Sequence, residues 1–231
     1  MGNLYKIYQL NRNKPYLIFD LGFYNGDSSE YYLQNNCKVI GVECNPHLVK
    51  YNEEKFKHYI PNNLILINNA ISDVDNQIIP FFLSKYPVWS STHRQIAERV
   101  EKAEEIKVKT ITLKTLIEKY GCPDYCKIDI EGNDVIAVRS LIGLDIKPKV
   151  ISVEAECLGV GEHSTINMLD ELYNVGYRHF FIVDQRRFES FRFDFHRRYN
   201  WLDYDDVCKQ FEELKKQEFK YGVWADIYAT F

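Results

Sequence analysis

A glycine turn followed by an acidic strand end constrains this chain more than any other feature. The segment Phe19-Asp20-Leu21-Gly22-Phe23-Tyr24-Asn25-Gly26-Asp27-Ser28-Ser29 is followed, one helix later, by Val39-Ile40-Gly41-Val42-Glu43. Positions 16–20 read as a buried strand and 28–35 as a crossover helix, which makes the start of a βαβ unit. Gly22 and Gly26 lie in the turn between, where a missing Cβ lets backbone approach a ligand closely. Glu43 ends the second strand 23 residues after Asp20, where a carboxylate can accept hydrogen bonds from both hydroxyls of a ribose. An ordinary turn with a surface glutamate is the plain alternative. The glycines are four apart with the middle one missing, which argues against a nicotinamide dinucleotide.

Strand-like and helix-like segments alternate almost throughout, the mark of an α/β doubly wound sheet. Strands are expected at 16–21, 38–43, 64–69, 125–130, 149–154, 178–184 and 223–230, and helices at 28–36, 46–58, 133–142 and 165–175. Asn45 before Pro46 suits a helix start, and Asn133 is expected to cap the helix after Gly132. Positions 72–112 depart from the alternation; there 78–83 is expected to pair with 107–112, whose Val108, Thr110, Thr112 spacing is that of a strand. Positions 185–201 are irregular, a helix follows over 204–219, and the last strand suits a sheet with one reversed strand near its edge. No repeat or linker divides the chain, so a single domain over 1–231 is expected, with an insertion at about 72–112 and an acceptor lid at about 185–201.

At 231 residues and 45% hydrophobic, the chain can bury one sizeable core. A net charge of -4 does not suit a dedicated nucleic-acid binder. No apolar run reaches the ~20 residues of a membrane span, and the first positions lack the apolar core of a secretion signal. Cys37, Cys44, Cys122, Cys126, Cys157 and Cys208 fall at irregular spacings without zinc-site pairing and are read as reduced thiols in a cytoplasmic protein.

Four segments together resemble the FkbM-type family of S-adenosylmethionine-dependent methyltransferases. They are Asp20-Leu21-Gly22 through Gly26, Val42-Glu43-Cys44-Asn45-Pro46, Asn69-Ala70-Ile71-Ser72, and Lys127-Ile128-Asp129-Ile130-Glu131-Gly132. Ser90-Ser91, Val153-Glu154 and the closing Trp224-Ala225-Asp226-Ile227-Tyr228-Ala229 fit the same order, so the resemblance covers about 16–230. Each motif is weak alone, and the combination is specific. The family usually carries Ala-Asn where this chain has Phe23-Tyr24, and a small residue or proline at Cys44. The resemblance implies a Rossmann-like class I methyltransferase fold: seven strands, mostly parallel with one reversed, and helices on both faces. It also implies S-adenosylmethionine as methyl donor and a hydroxyl acceptor, often on a sugar.

Open sheets of this kind place ligands beyond the carboxyl ends of their strands. The cofactor set drawn from those ends is Asp20, Gly22, Phe23, Asn25, Gly26, Glu43, Asn69 and Ala70. Glu43 would hold the ribose, Gly22 and Gly26 the methionine part, and Asn69-Ala70 the adenine. The donor carries no phosphate, so the absence of a phosphate-binding lysine loop is consistent.

Asp129 and Glu131 share a strand face if the strand continues, and Glu154 and Glu156 repeat the spacing next door. Such acids can act as a general base, as acceptors for sugar hydroxyls, or as ligands of a divalent metal (Mg or Mn) at Asp129 and Glu154; capped, solvated strand ends are the alternative. His93 and His163 could each accept the proton, or be solvated loop histidines. Lys127 is expected to pack its stem and aim its amine at an acid. Arg186, Arg187, Arg192, Arg197 and Arg198 alternate with Phe188, Phe191, Phe193, Phe195 and Trp201, which suits either recognition of a sugar acceptor or a packed lid.

The expected function is O-methylation of a sugar hydroxyl in a glycan or glycosylated natural product. The alternatives are another small-molecule O or N acceptor, or a non-catalytic cofactor- or glycan-binding subunit. A nucleic-acid partner is disfavoured, because Asp129-Ile130-Glu131-Gly132 stands where an amino-methylase carries Asn/Asp-Pro-Pro-aromatic.

Overall fold

The computed structural model describes residues 14–156, 165–185, 191–216 and 224–231. Its first half runs β1 (Leu17–Leu21), α1 (Asp27–Gln34), β2 (Lys38–Val42), α2 (Pro46–Lys55), β3 (Leu64–Ile67), β4 (Ala70–Ile71), β5 (Ile78–Leu83), α3 (Arg94–Ala97) and β6 (Glu104–Ile111). There follow α4 (Leu113–Tyr120), β7 (Tyr125–Ile128), α5 (Asp134–Arg139), β8 (Val150–Glu156), α6 (Thr165–Val175), β9 (His179–Asp184), α7 (Tyr204–Lys215) and β10 (Trp224–Thr230).

Seven strands form one sheet in the order β3-β2-β1-β7-β8-β10-β9. β1, β2, β3, β7 and β8 pair in parallel, whereas β10 runs antiparallel to both β8 and β9. The order reverses between β1 and β7, and that switch point is where an open sheet offers a crevice. The seven-stranded, mostly parallel sheet with one reversed strand is therefore present as expected.

Alternation along each strand loads the two faces differently. Phe19, Leu21, Cys126, Ile128, Ile151 and Val153 pack on one face against Leu116 of α4, Val138 of α5, Leu172 of α6 and Phe211 of α7. Ile18, Tyr125, Val150 and Tyr228 face the other way, under Tyr32 and Leu33 of α1 and under Phe193 and Phe195. That second cover is an aromatic stack: Phe193 lies 5.3 Å from Tyr125, and Phe181 lies 4.6 Å from Tyr228, both stacked. Fully burying one such ring is worth ~1.5–3 kcal/mol. Phe193 and Phe195 of the irregular segment after 190 are thus core, and their rings are spent on packing. Arg186, Arg187 and Phe188 lie outside the described residues.

The insertion forms a second, three-stranded sheet, β4-β6-β5. β5 and β6 pair antiparallel from Ile78↔Lys109 to Leu83↔Glu104, the pairing expected from the alternation, though β6 starts three residues earlier. α4 was not expected, because Leu113 looked like a strand end; the Thr112 hydroxyl accepts the Thr115 N–H at 3.0 Å and starts a helix there. Asn45 caps α2 as expected, accepting the His47 N–H at 2.9 Å, with Pro46 in its first turn. Asn133 makes no side-chain cap for α5. Asp134 takes up the loop instead, accepting the Ile130 and Gly132 N–H groups at 3.1 Å each. Cys37, Cys44, Cys122, Cys126 and Cys208 are free thiols, and Cys157 lies outside the described residues. Among the described residues no helix is long and apolar enough to cross a membrane.

Candidate active site

The site is built where β1, β2 and β7 end. After Leu21 the chain turns through Gly22 at φ 86. A Cβ on Gly22 would stand 1.7 Å from the Asp129 carbonyl oxygen, so the exits of β1 and β7 cross backbone on backbone. The Gly22 and Phe23 N–H groups both donate to the Val42 carbonyl at 3.0 Å, which folds the turn over β2. Tyr24 then sits in the left-handed region at φ 51, a conformation that needs outside support in a non-glycine residue. The fully buried Asn52 amide supplies part of it by donating to the Tyr24 carbonyl.

Glu43 supplies the rest. Its Oε2 accepts the Tyr24 N–H at 2.8 Å and its Oε1 accepts the Asn45 N–H at 2.7 Å. The carboxylate is 8% exposed and lines a cavity. Burial pushes its pKa up, against the pull of the Asn45 and Tyr24 N–H groups. Each oxygen keeps a lone pair for a further donor.

The other residues expected around the donor separate into wall and scaffold. Asn69 and Ala70 line the same cavity as Glu43, with the Asn69 amide tied to the Lys109 carbonyl at 3.0 Å. Gly26, at φ 76, lacks its Cβ for a different reason from the one expected: an added Cβ would meet the Phe56 and Phe23 rings at 2.4 and 2.6 Å, so the space goes to core aromatics. Phe23 is 2% exposed, packs edge-on to Phe56 at 5.7 Å, and occupies the room left by Gly41. Asn25 accepts the Asp27 N–H at 3.1 Å and lines a second cavity. Asp20 is a buried tie: it accepts from the Ser29 hydroxyl at 2.6 Å and lies 3.6 Å from the Lys127 amine.

β7 stops at Ile128, so Asp129 and Glu131 leave the strand, and Glu131 turns through φ 54. Strand alternation does not bring them together, but the turn does. Asp129, Glu131 and Glu154 place one oxygen each within 4.8 Å of one another. Lys127 Nζ sits 2.9 Å from Asp129 Oδ2 and 3.5 Å from the Gly22 carbonyl, pinning the turn to the carboxylates. Burial alone would push the Lys127 amine down, but Asp129 and Asp20 outweigh it and hold the ammonium charged. Glu154 is raised well above the ordinary carboxylate range by burial first, then by Asp129 and Glu131. The side chain of Glu156 lies outside the described residues.

His93 does not join this group. His93 lies behind the Gly132 turn, where its Nε2 donates to Asn133 Oδ1 at 3.0 Å, and it lines neither cavity. Asn133 Nδ2 donates to the Ile71 carbonyl at 3.2 Å, which orients the amide this way. His163 lies outside the described residues.

Two cavities meet at the carboxylates. The first lies between the end of β2 and the insertion, walled by Glu43, Leu48, Asn69, Ala70, Phe81 and Val88 among others. The second lies between the first turn of α1 and the ends of β7, β8 and β10. Gly22, Tyr24, Asp129 and Glu154 line both and form the neck between them. Sequence reasoning missed Gln185 and Asp226 in the second cavity. Asp226 did leave a signal, an acid on the face of β10 that also carries Tyr228, in an otherwise apolar strand.

Residues 20–179 match the family profile described as Methyltransferase FkbM domain, more than half of the chain. No curated protein matches it. Similar solved structures include precorrin-6y C5,15-methyltransferase from Geobacter metallireducens, at 11% identity and TM-score 0.44, covering 97% of this chain and 86% of that one. Magnesium protoporphyrin IX methyltransferase from Synechocystis, with bound S-adenosylmethionine, aligns at 9% identity and TM-score 0.48, covering 98% and 75%. An S-adenosylmethionine-dependent methyltransferase from Archaeoglobus fulgidus aligns at 11% and 0.47, covering 98% and 90%. With its family profile matched over the switch-point site, the chain belongs to the FkbM family of S-adenosylmethionine-dependent methyltransferases.

Proposed function

We propose that this enzyme methylates a hydroxyl group of a saccharide, using Glu43 to hold the donor's ribose and the carboxylates at the neck to receive the hydroxyl proton. One observation carries the reading: Asp129, Glu131 and Glu154 converge within 4.8 Å, with Asp129 and Glu154 lining both cavities and Glu131 the Glu43 cavity. The residues fit the donor. Val42, Cys44, Leu48, Ala70 and Ile71 give apolar walls for a purine, and the buried Glu43 carboxylate keeps lone pairs for a diol.

S-adenosylmethionine supplies an electrophilic methyl group carried on a sulfonium. Held by Glu43 and the apolar walls, it would supply that methyl group to an acceptor oxygen, and Glu154 would receive the hydroxyl proton. Burial and the neighbouring Asp129 and Glu131 carboxylates raise the pKa of Glu154, which makes its ionised form a stronger proton acceptor than an ordinary carboxylate. Lys127 holds Asp129 in place beside it at 2.9 Å. The free thiols among the described residues accord with a cytoplasmic setting.

The same three carboxylates could instead grip Mg or Mn through oxygen ligands. The Lys127 ammonium already neutralises Asp129 at 2.9 Å and would repel a divalent ion there, which favours the base. A chelator should leave turnover within about twofold, and loss of turnover restored by added Mg or Mn would give the cluster to a cation. Mass spectrometry of labelled methyl transfer into deoxysugar, nucleotide-sugar and oligosaccharide acceptors tests the function itself. Transfer confined to amines or to non-sugar hydroxyls would replace the saccharide reading.

A further inference from the structure

Ser91 lines neither cavity, yet it is fully buried and touches the turn that carries the neck carboxylates. Its hydroxyl donates to the Glu131 carbonyl at 2.6 Å and accepts the His93 N–H at 2.9 Å. Its backbone is fixed as well. The Ser91 N–H donates to the Phe82 carbonyl at 3.1 Å, and the Phe82 N–H donates to the Ser91 carbonyl at 2.8 Å. Phe82 belongs to β5, so the insertion's own sheet presents the hydroxyl. Two residues on, the His93 ring packs against Gly132, and its Nε2 donates to the Asn133 side chain. Ile96 of α3 packs on the same glycine, where a Cβ would stand 2.7 Å from Ile96 Cδ1. The insertion thus grips Glu131, Gly132 and Asn133 in succession.

That turn needs the grip. Glu131 sits at φ 54 and Gly132 at φ 111. The left-handed region is unfavourable for a residue with a side chain, which stays there only where its surroundings hold it. Asp134 accepts the Ile130 and Gly132 N–H groups at 3.1 Å each, from the first turn of α5. The Gly132 N–H and the Glu131 carbonyl belong to one planar peptide and point opposite ways. Asp134 therefore holds that peptide from one side and Ser91 from the other. Loss of the Ser91 hydroxyl frees the carbonyl end to rotate, and with it the direction in which the Glu131 side chain leaves the turn.

We propose that Ser91 is a positioning residue for the reaction. Through the Glu131 carbonyl it holds the turn that brings a Glu131 carboxylate oxygen within 4.8 Å of oxygens of Asp129 and Glu154. The insertion is then a support of the carboxylate cluster and not an ornament beside the main sheet. The inference rests on the proton-receiving reading of those carboxylates and adds a residue that acts on them from outside both cavities.

The test compares the full-length native protein with Ser91→Ala, Glu131→Gln and the double variant, using S-adenosylhomocysteine as donor-site probe. Turnover is methyl transfer from labelled S-adenosylmethionine to the best of the deoxysugar, nucleotide-sugar and oligosaccharide acceptors. Ser91→Ala should lower kcat ~10-fold or more, with the S-adenosylhomocysteine Kd and the acceptor KM within about threefold of native. In the Glu131→Gln background the same substitution should cost less than about threefold, because the group it positions is already gone. Equal losses in the two backgrounds, or undiminished kcat in folded Ser91→Ala, would overturn the positioning role. Ser91→Cys keeps the side chain's length and a weak donor, should fall between native and Ser91→Ala, and replaces Ser91→Ala in the comparison if that variant does not fold. A crystal structure of the variant reads the same role without an acceptor: the Glu131 carboxylate should leave Asp129 and Glu154. Glu131 still near φ 54, with the three oxygens still within 4.8 Å, would overturn it. Full turnover in Glu131→Gln, or failure of the native protein to bind S-adenosylhomocysteine, would instead remove the reading on which the role depends.

Discussion

The Tyr24 backbone N–H donates to Glu43 Oε2 at 2.8 Å, so the strained residue after the glycine turn is held by the carboxylate proposed to grip the donor. On that proposal, donor binding and turn geometry would be coupled through one side chain. Glu43→Ala strands the Tyr24 and Asn45 N–H groups and removes both acceptors for a ribose diol. A hydrogen bond to a charged group is worth ~1.5–3 kcal/mol, so the S-adenosylhomocysteine Kd should rise by about 100-fold or more. Titration calorimetry checks this, and a Kd within threefold of native would remove Glu43 from the donor site.

Gly22 is a backbone requirement at the crossing of two strand exits. Gly22→Ala would set a Cβ 1.7 Å from the Asp129 carbonyl oxygen, against backbone that cannot step aside, at φ 86. Thermal unfolding should show a loss of ~3 kcal/mol or more. Gly143→Ala is the control: its φ is also positive at 79, but nothing lies within 4 Å, and only the ~1–2 kcal/mol conformational cost should appear. Equal losses in the two variants would mean that the close approach at Gly22 contributes nothing.

Most of the main sheet was legible because its strands carry their own punctuation. Asp20, Glu43 and Asp129 each follow an apolar run, and Asn45-Pro46 starts α2 as its chemistry dictates. What failed was the inference about where two particular loop side chains point. His93 looked available to the site, yet the glycine at 132 leaves just the room that its ring fills, 2.8 Å from where a Cβ would stand. Phe23 looked like a ligand contact, yet Gly41 on the next strand and Gly26 in its own turn make a slot for it. The pairing of Asp226 with Gln185 was hidden because the two lie 41 residues apart. Local pattern carries no register between segments so distant.

Asp129 stands at the neck with Lys127 against it, and the two make separable predictions. Asp129→Asn keeps an oxygen for Lys127 and leaves the Glu43 wall intact, so donor Kd should stay within about threefold. Turnover should fall by ~10²–10⁴, the usual worth of a proton-transfer group or its immediate partner. Lys127→Met acts differently, because it leaves Asp20 and Asp129 without their cation and should cost ~3–5 kcal/mol of stability. Full turnover in Asp129→Asn would exclude the carboxylate from the reaction.

Asp226 gives the fold a pH dependence of defined sign. Burial, with repulsion from Asp129 next, lifts its pKa from 3.8 to about 7, against the opposing pull of Lys127 and the Gln185 hydrogen bond. Between about pH 4 and 7 the folded protein therefore holds a proton that the unfolded chain has released. Stability from this group is complete below the window and is lost as pH rises through it. Asp134, raised to about 6 by burial and by Asp129, slopes the same way and remains in any Asp226 variant. Asp226→Asn removes its own share, on the order of 4 kcal/mol, or about ten degrees in Tm for a chain of this size. The Tm of Asp226→Asn minus that of the native protein should accordingly grow more positive from pH 4.5 to pH 7.5, measured by calorimetry at fixed ionic strength. A difference that stays flat across that range would show that Asp226 titrates in the folded protein as it does in the unfolded chain.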